Sequence, residues 1–159
     1  GEGATFDIYL PFSDHLPARA ADPVAPQDPA RGVETVLVVE DEPQVRGLIR
    51  EALARAGYRV FEAPNGTDAL EIAGWVPGGL DLLVTDIVLP GINGTELVAR
   101  LRAARPDLRA LYVTGYADSG ELAGPLSGTQ PTILHKPFTM DTLVRRVREV
   151  LDTVPNVER

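Results

Sequence analysis

Five short apolar runs, at residues 35–39, 58–63, 80–85, 109–113 and 132–135, alternate with stretches whose apolar residues recur three and four positions apart. Strand-helix alternation of this kind strongly constrains the fold. Each strand returns through a helix lying on a face of the sheet, so neighbouring strands pair in parallel. The first run, Thr35-Val36-Leu37-Val38-Val39, is apolar without alternation, as expected of a strand covered on both faces. Right-handed crossovers with helices on both faces predict an α/β, doubly wound sheet with strand order 2-1-3-4-5.

The intervening segments carry helix signals. Glu40-Asp41-Glu42-Pro43 supplies acids and a proline ahead of Val45, Leu48, Ile49, Ala52, Leu53 and Ala56, and Gly57 ends that helix. Asn65 is a suitable cap for a short helix at 65–73 containing Ala69, Leu70 and Ile72. Asn93 leads into a helix with Leu97, Val98, Leu101 and Ala104 on one face, limited by Pro106. Gly120, Gly124, Pro125 and Gly128 predict a short or distorted helix at 118–128. Thr139-Met140-Asp141 opens a final helix, whose stripe of Leu143, Val144, Val147, Val150 and Leu151 lies opposite Arg145, Arg146 and Arg148.

Outside this pattern the chain changes character. Residues 1–12 end in the alternating segment Thr5-Phe6-Asp7-Ile8-Tyr9-Leu10, which reads as one strand. Residues 13–33 contain Pro17, Pro23, Pro26 and Pro29 without an apolar period, and read as a semi-extended linker. The main domain is expected at 34–152 and a tail at 153–159. The opening Gly1-Glu2-Gly3 has neither an initiator Met nor a signal-peptide pattern, which reads as a fragment of a longer chain; a cytoplasmic setting is expected for the fragment, with membrane attachment of the parent left open.

Composition excludes several function classes. The formal net charge of −8 argues against nonspecific contact with nucleic acid or an anionic membrane. The absence of cysteine removes disulfides, thiolate metal sites and cysteine nucleophiles. No apolar stretch approaches the ~18 residues of a membrane span.

Polar groups mark the ends of the strand-like runs. Glu40-Asp41 closes the first, Asp86 the third, Thr114 the fourth and Lys136 the fifth. In an open parallel sheet these ends share one edge, and with order 2-1-3-4-5 the switch point falls between strands one and three. Crowded carboxylates repel and raise one another's pKa, which a hard cation relieves, and oxygen-only donors suit Mg²⁺. With the cation in place, Asp86 is able to attack phosphorus as a carboxylate nucleophile. Lys136 is suited to pair with one phosphoryl oxygen and Thr114 to donate to another, because such transfer needs positioning and charge neutralisation more than proton transfer.

Taken together, Val38-Val39-Glu40-Asp41-Glu42-Pro43, Thr85-Asp86-Ile87-Val88-Leu89-Pro90-Gly91 with Gly94, Thr114-Gly115-Tyr116 and Lys136-Pro137-Phe138 resemble the response-regulator receiver domain. The resemblance covers roughly residues 34–151 and implies a flavodoxin-like (βα)5 sheet. It also implies that Asp86 accepts phosphate from a phosphohistidine, on a histidine kinase or a histidine phosphotransfer protein. Glu40, Asp41, Asp86 and the Val88 backbone carbonyl are then the expected Mg²⁺ ligands, and Lys136-Pro137 an expected cis peptide. Two departures stand out. The aromatic switch position, three before the lysine, is Ile133, and the position two beyond Asp86 is the apolar Val88. Val88 and Tyr116 are expected to limit water access to an acyl phosphate.

Gly1-Glu2-Gly3-Ala4-Thr5-Phe6-Asp7-Ile8-Tyr9-Leu10-Pro11 resembles the end of a histidine-kinase ATP-binding domain. The expected parent is a hybrid sensor histidine kinase with a C-terminal receiver, and the fragment itself is expected to have no kinase activity. A homodimer stays open. An aspartate-nucleophile phosphohydrolase is the competing enzyme, but it would need a general acid where Val88 stands. A degenerate binding module is the third reading, opposed by the intact acids, Thr114 and Lys136. Glu42 reads as a helix-dipole acid, His15 as a linker residue, His135 as a solvated strand end and Trp75 as loop packing.

Overall fold

The computed structural model describes residues 32–115 and 132–153. The strand expected at residues 5–10, most of the linker, the helix expected at 118–128, His15, Tyr116 and the tail beyond Thr153 lie outside the described residues. Strands β1 (Thr35–Val39), β2 (Arg59–Ala63), β3 (Leu82–Asp86), β4 (Arg109–Thr114) and β5 (Thr132–His135) form one parallel sheet in the order β2-β1-β3-β4-β5. The helices are α1 (Pro43–Arg55), α2 (Gly66–Trp75), α3 (Gly94–Ala104) and α4 (Met140–Asp152).

The unbroken apolar character of β1 follows from its place in the sheet, where every residue is buried. Val36 and Val38 join the α1 and α4 residues Ile49, Leu53, Leu143 and Val147 on one face. Leu37 and Val39 join Ala69, Ala73, Leu97 and Leu101 of α2 and α3 on the other. Alternate side chains of one strand thus nucleate two separate cores. Truncating a side chain in either, such as the fully buried Leu53, to alanine costs about 2–5 kcal/mol.

Local chemistry fixes the ends of the elements. Asn65, Asn93 and Thr139 each accept the backbone N–H three residues on, at 2.9, 2.8 and 3.2 Å, capping α2, α3 and α4. At the end of α1, Gly57 takes φ +99°, its N–H donates to Ala54 and the N–H of Tyr58 donates to Leu53. This is a complete Schellman closure. It explains why β2 begins at Arg59 and not at Tyr58: the Tyr58 amide is still engaged by the helix.

Other boundaries shift for similar reasons. Asp81 spends its side chain and amide on Thr35, accepting from Thr35 N at 2.7 Å and donating to Thr35 O at 3.0 Å, and β3 starts only at Leu82. At their far ends β3 and β4 run one residue further than the apolar pattern, because Asp86 still pairs with Val113 and Thr114 with His135. α2 continues to Trp75, whose ring packs edge-on against Phe61 with centroids 5.6 Å apart. Among the described residues no helix is long and apolar enough to cross a membrane.

Candidate functional site

The parallel register brings the C-terminal ends of β1, β3, β4 and β5 to one edge, and the strand-end polar residues with them. Glu40 follows β1 and is 2% exposed, while Asp86 is the last residue of β3 and is 9% exposed. The Lys136 ammonium, just beyond β5, joins the two. It donates to Glu40 Oε2 at 2.8 Å and to Asp86 Oδ2 at 2.7 Å. The other carboxylate oxygen of Asp86 accepts the Val88 N–H at 3.0 Å. Thr114 is fully buried at the end of β4; its hydroxyl donates to the Gly115 carbonyl at 3.1 Å, and its own carbonyl accepts the Lys136 N–H at 2.7 Å. The peptide between Lys136 and Pro137 is cis.

Glycine is required beside the end of β3. A Cβ on Gly94 would stand 2.1 Å from the Asp86 carbonyl oxygen, so only glycine lets α3 start against the end of β3. The Gly94 N–H donates to the Ile87 carbonyl at 2.9 Å and fixes that approach. Gly91, with φ +79°, turns the chain between Asp86 and α3.

The electrostatics follow from burial. Desolvation pushes the Glu40 carboxyl above the usual carboxylate range and the nearby Asp86 charge adds to that, while Lys136 pulls the other way. For Lys136, burial favours the neutral amine, but the bonds and charges of Asp86 and Glu40 outweigh it and hold the ammonium above the usual lysine value. One ammonium between two carboxylates leaves a negative charge uncompensated, and Asp41 adds another at the exposed rim.

Glu40, Asp86, Thr114 and Lys136 therefore meet as their positions in the sequence imply. Asp41 does not join the buried cluster; its carboxylate stays exposed. Among the described residues no three acidic or histidine side chains stand together as a metal-ligand set, because Lys136 lies between the two buried acids. The donor chemistry nevertheless fits a hard divalent cation: the groups at this edge are oxygens, and their negative charge exceeds the single ammonium. Val88 is 49% exposed at the rim, and Ile133 is half-buried, paired in register with the buried Tyr112 of β4.

One participant is absent from the sequence reading. Arg46, in the first turn of α1, donates to the carbonyls of Glu40 at 2.7 Å and of Asp41 at 3.3 Å. Its sequence signal is a cation near a helix N-terminus, where the macrodipole disfavours it.

A profile of the response regulator receiver domain matches residues 36–148. The chain is 37% identical over 160 residues to "Sensor kinase CckA" of Brucella abortus (strain 2308), an alignment that takes in 96% of this chain and 17% of that protein. It is 33% identical over 119 residues to "Response regulator receiver protein CpdR" of the same organism, covering 75% of this chain and 98% of CpdR. Among solved structures, the receiver domain of the hybrid histidine kinase CckA superposes with a TM-score of 0.62 at 33% identity, over 74% of this chain and 99% of that one. A receiver domain from Clostridium thermocellum gives a TM-score of 0.68 at 22% identity, over 76% and 95% of the two chains, a likeness of fold. The match of profile, fold and strand-end chemistry leads to one conclusion: the chain belongs to the response regulator receiver domain family, the signalling module of two-component systems.

Proposed function

We propose that Asp86 is the phosphoacceptor of this receiver and that Glu40, Asp41, Thr114 and Lys136 serve its phosphorylation. The observation that carries the reading is the Lys136 ammonium held between Asp86 and Glu40 at 2.7 and 2.8 Å on the C-terminal edge of the sheet. An Asp86 oxygen attacks the phosphorus of a phosphohistidine on a histidine kinase or phosphotransfer protein. A P–O bond forms as the P–N bond breaks, and the imidazole leaves. Lys136 passes from Asp86 Oδ2 to a phosphoryl oxygen, and the Thr114 hydroxyl turns from the Gly115 carbonyl to another. The Val88 N–H, already on Asp86 Oδ1, keeps the carboxylate oriented. Glu40, Asp41, Asp86 and the Val88 carbonyl would hold Mg²⁺, which would supply neutralisation of the incoming phosphoryl charge.

The same reading extends to the parent chain. The CckA alignment takes in 96% of this chain, more than the span 36–148 of the receiver match, so it includes most of the segment before Val36. This supports residues 1–12 as the end of a kinase ATP-binding domain, 13–33 as a linker, 34–152 as the receiver and 153–159 as a tail. The parent is then a hybrid histidine kinase whose receiver works in the cytoplasm, acts through protein contacts and has no catalytic turnover of its own. Incubation with Mg²⁺ and acetyl phosphate, followed by intact-mass measurement, tests the assignment. The expected result is a gain of about 80 Da that Asp86→Asn abolishes. An adduct that survives Asp86→Asn overturns it.

A further inference from the structure

We propose that Arg46 is a positioning residue for phosphorylation, acting as a clamp that sets the Glu40-Asp41 loop from the first turn of α1. The inference rests on the reading of Glu40 and Asp41 as part of the Mg²⁺ and phosphoryl site.

Among the described residues the loop between β1 and α1 has few restraints of its own, the main one being the Glu42 backbone N–H that faces the Glu40 carboxylate. The N-cap of α1 is Glu42, whose side chain makes no capping bond, and the following residue is Pro43, which has no N–H. The first turn of the helix contains no acid. The carbonyls of Glu40 and Asp41 precede the first backbone bond of the helix, Arg46 N–H to Glu42 O at 2.9 Å, and so receive nothing from the helix ladder. Arg46 fills this gap. One guanidinium nitrogen reaches both carbonyls, at 2.7 and 3.3 Å, while the amide of the same residue closes the turn on Glu42.

The loop is thereby tied at both ends. The Glu40 N–H donates to Ala63 of β2 at 3.3 Å, and the Glu40 carboxylate is engaged by Lys136. The peptide planes on either side of Asp41 are what Arg46 fixes, and among the described residues no strand neighbour bonds Asp41. A cation at this position works against the helix dipole, and three successive acids beside it supply the offsetting attraction. A guanidinium suits the task because its planar fork presents N–H groups in fixed directions to adjacent carbonyls. A restraint of this kind, outside the ligand set, typically changes metal affinity by about 10–100-fold.

The test compares wild type, Arg46→Met and Arg46→Lys in the same chain, by calorimetric Mg²⁺ titration and by the rate of acetyl-phosphate-driven adduct formation across Mg²⁺ concentrations. Arg46→Met is expected to weaken Mg²⁺ binding about tenfold, with the adduct rate recovering at saturating Mg²⁺, because Arg46 does not touch the phosphoryl group. Arg46→Lys is expected to fall between the two, and it carries the test should the Met variant not fold. Unchanged Mg²⁺ affinity in the substituted chains overturns the proposal. So does a rate loss that saturating Mg²⁺ leaves in place, which marks Arg46 as acting elsewhere. Failure of the underlying reading looks different: wild type itself would take up neither Mg²⁺ nor a phosphoryl group.

Discussion

Lys136 is the residue on which the electrostatics of the site turn. Buried carboxylates left without a cation are costly, and removing one partner of a buried pair typically destabilises by about 3–5 kcal/mol. The Lys136 side chain is 30% exposed, so Lys136→Met is expected to cost about 1–3 kcal/mol at pH 7. The pH dependence has a defined sign. A raised Lys136 pKa means that its contribution is fully present below the usual lysine value and is lost as pH climbs through the folded one. A raised Glu40 pKa favours the fold below the ordinary carboxylate range, and that advantage is lost as pH rises through the folded value. Without Lys136, Glu40 loses the partner that restrains its shift. The deficit of Lys136→Met is therefore expected to be largest at neutral pH and to shrink as acid protonates the carboxylates. Urea midpoints at pH 7 and pH 4 check this; a deficit that is equal at both refutes it.

Val88 raises a kinetic question at the same scale. Its side chain stands half-exposed beside Asp86, where an apolar group offers no hydrogen bond to an attacking water. Val88→Asn is expected to shorten the half-life of the phosphorylated form, measured by adduct decay after donor removal, and an unchanged half-life contradicts it. Tyr116, expected from sequence to share this task, lies outside the described residues.

Among the elements, α4 has a second role at the opposite end of the sheet. Arg148 donates to Glu34 at 2.8 Å and to Asp152 at 2.8 Å, tying the helix to the residues that lead into β1. Gly32 continues the same fastening. Its N–H donates to Ala56 at 3.1 Å, and a Cβ there would stand 2.1 Å from the Tyr58 ring. Burial raises the Glu34 carboxyl, but its backbone bonds and Arg148 outweigh this and hold it below the usual range. The stabilisation is accordingly present above the ordinary carboxylate value and lost as pH falls through the folded one. Arg148→Met is expected to lower stability by about 1–2 kcal/mol at pH 7, read by urea denaturation. A midpoint equal to wild type would show that the fastening contributes nothing.

For the whole molecule, the sheet order was legible because each apolar run and each helix stripe is local in sequence, and the switch point then follows from handedness. Glu40, Asp86, Thr114 and Lys136 were legible for the same reason: a strand-end residue in a parallel sheet has a known edge to occupy. What stayed hidden depends on three-dimensional approach. That one ammonium spans Glu40 and Asp86 requires side chains 96 and 50 residues apart along the chain to converge. The need for glycine at position 94 arises from the Asp86 carbonyl, and Arg46 from carbonyls that a helix leaves unsatisfied. Boundaries slipped by one or two residues where a backbone amide was claimed by a neighbour, as at Tyr58 and Asp81.

The central claim is that this sheet edge delivers a phosphoryl group to Asp86 alone. Borohydride trapping tests it most directly, because it reduces an acyl phosphate and leaves homoserine where the acceptor aspartate stood. After treatment with Mg²⁺ and acetyl phosphate, peptide mass mapping is predicted to place homoserine at position 86. Homoserine at position 41, at any other aspartate, or at none would contradict the account.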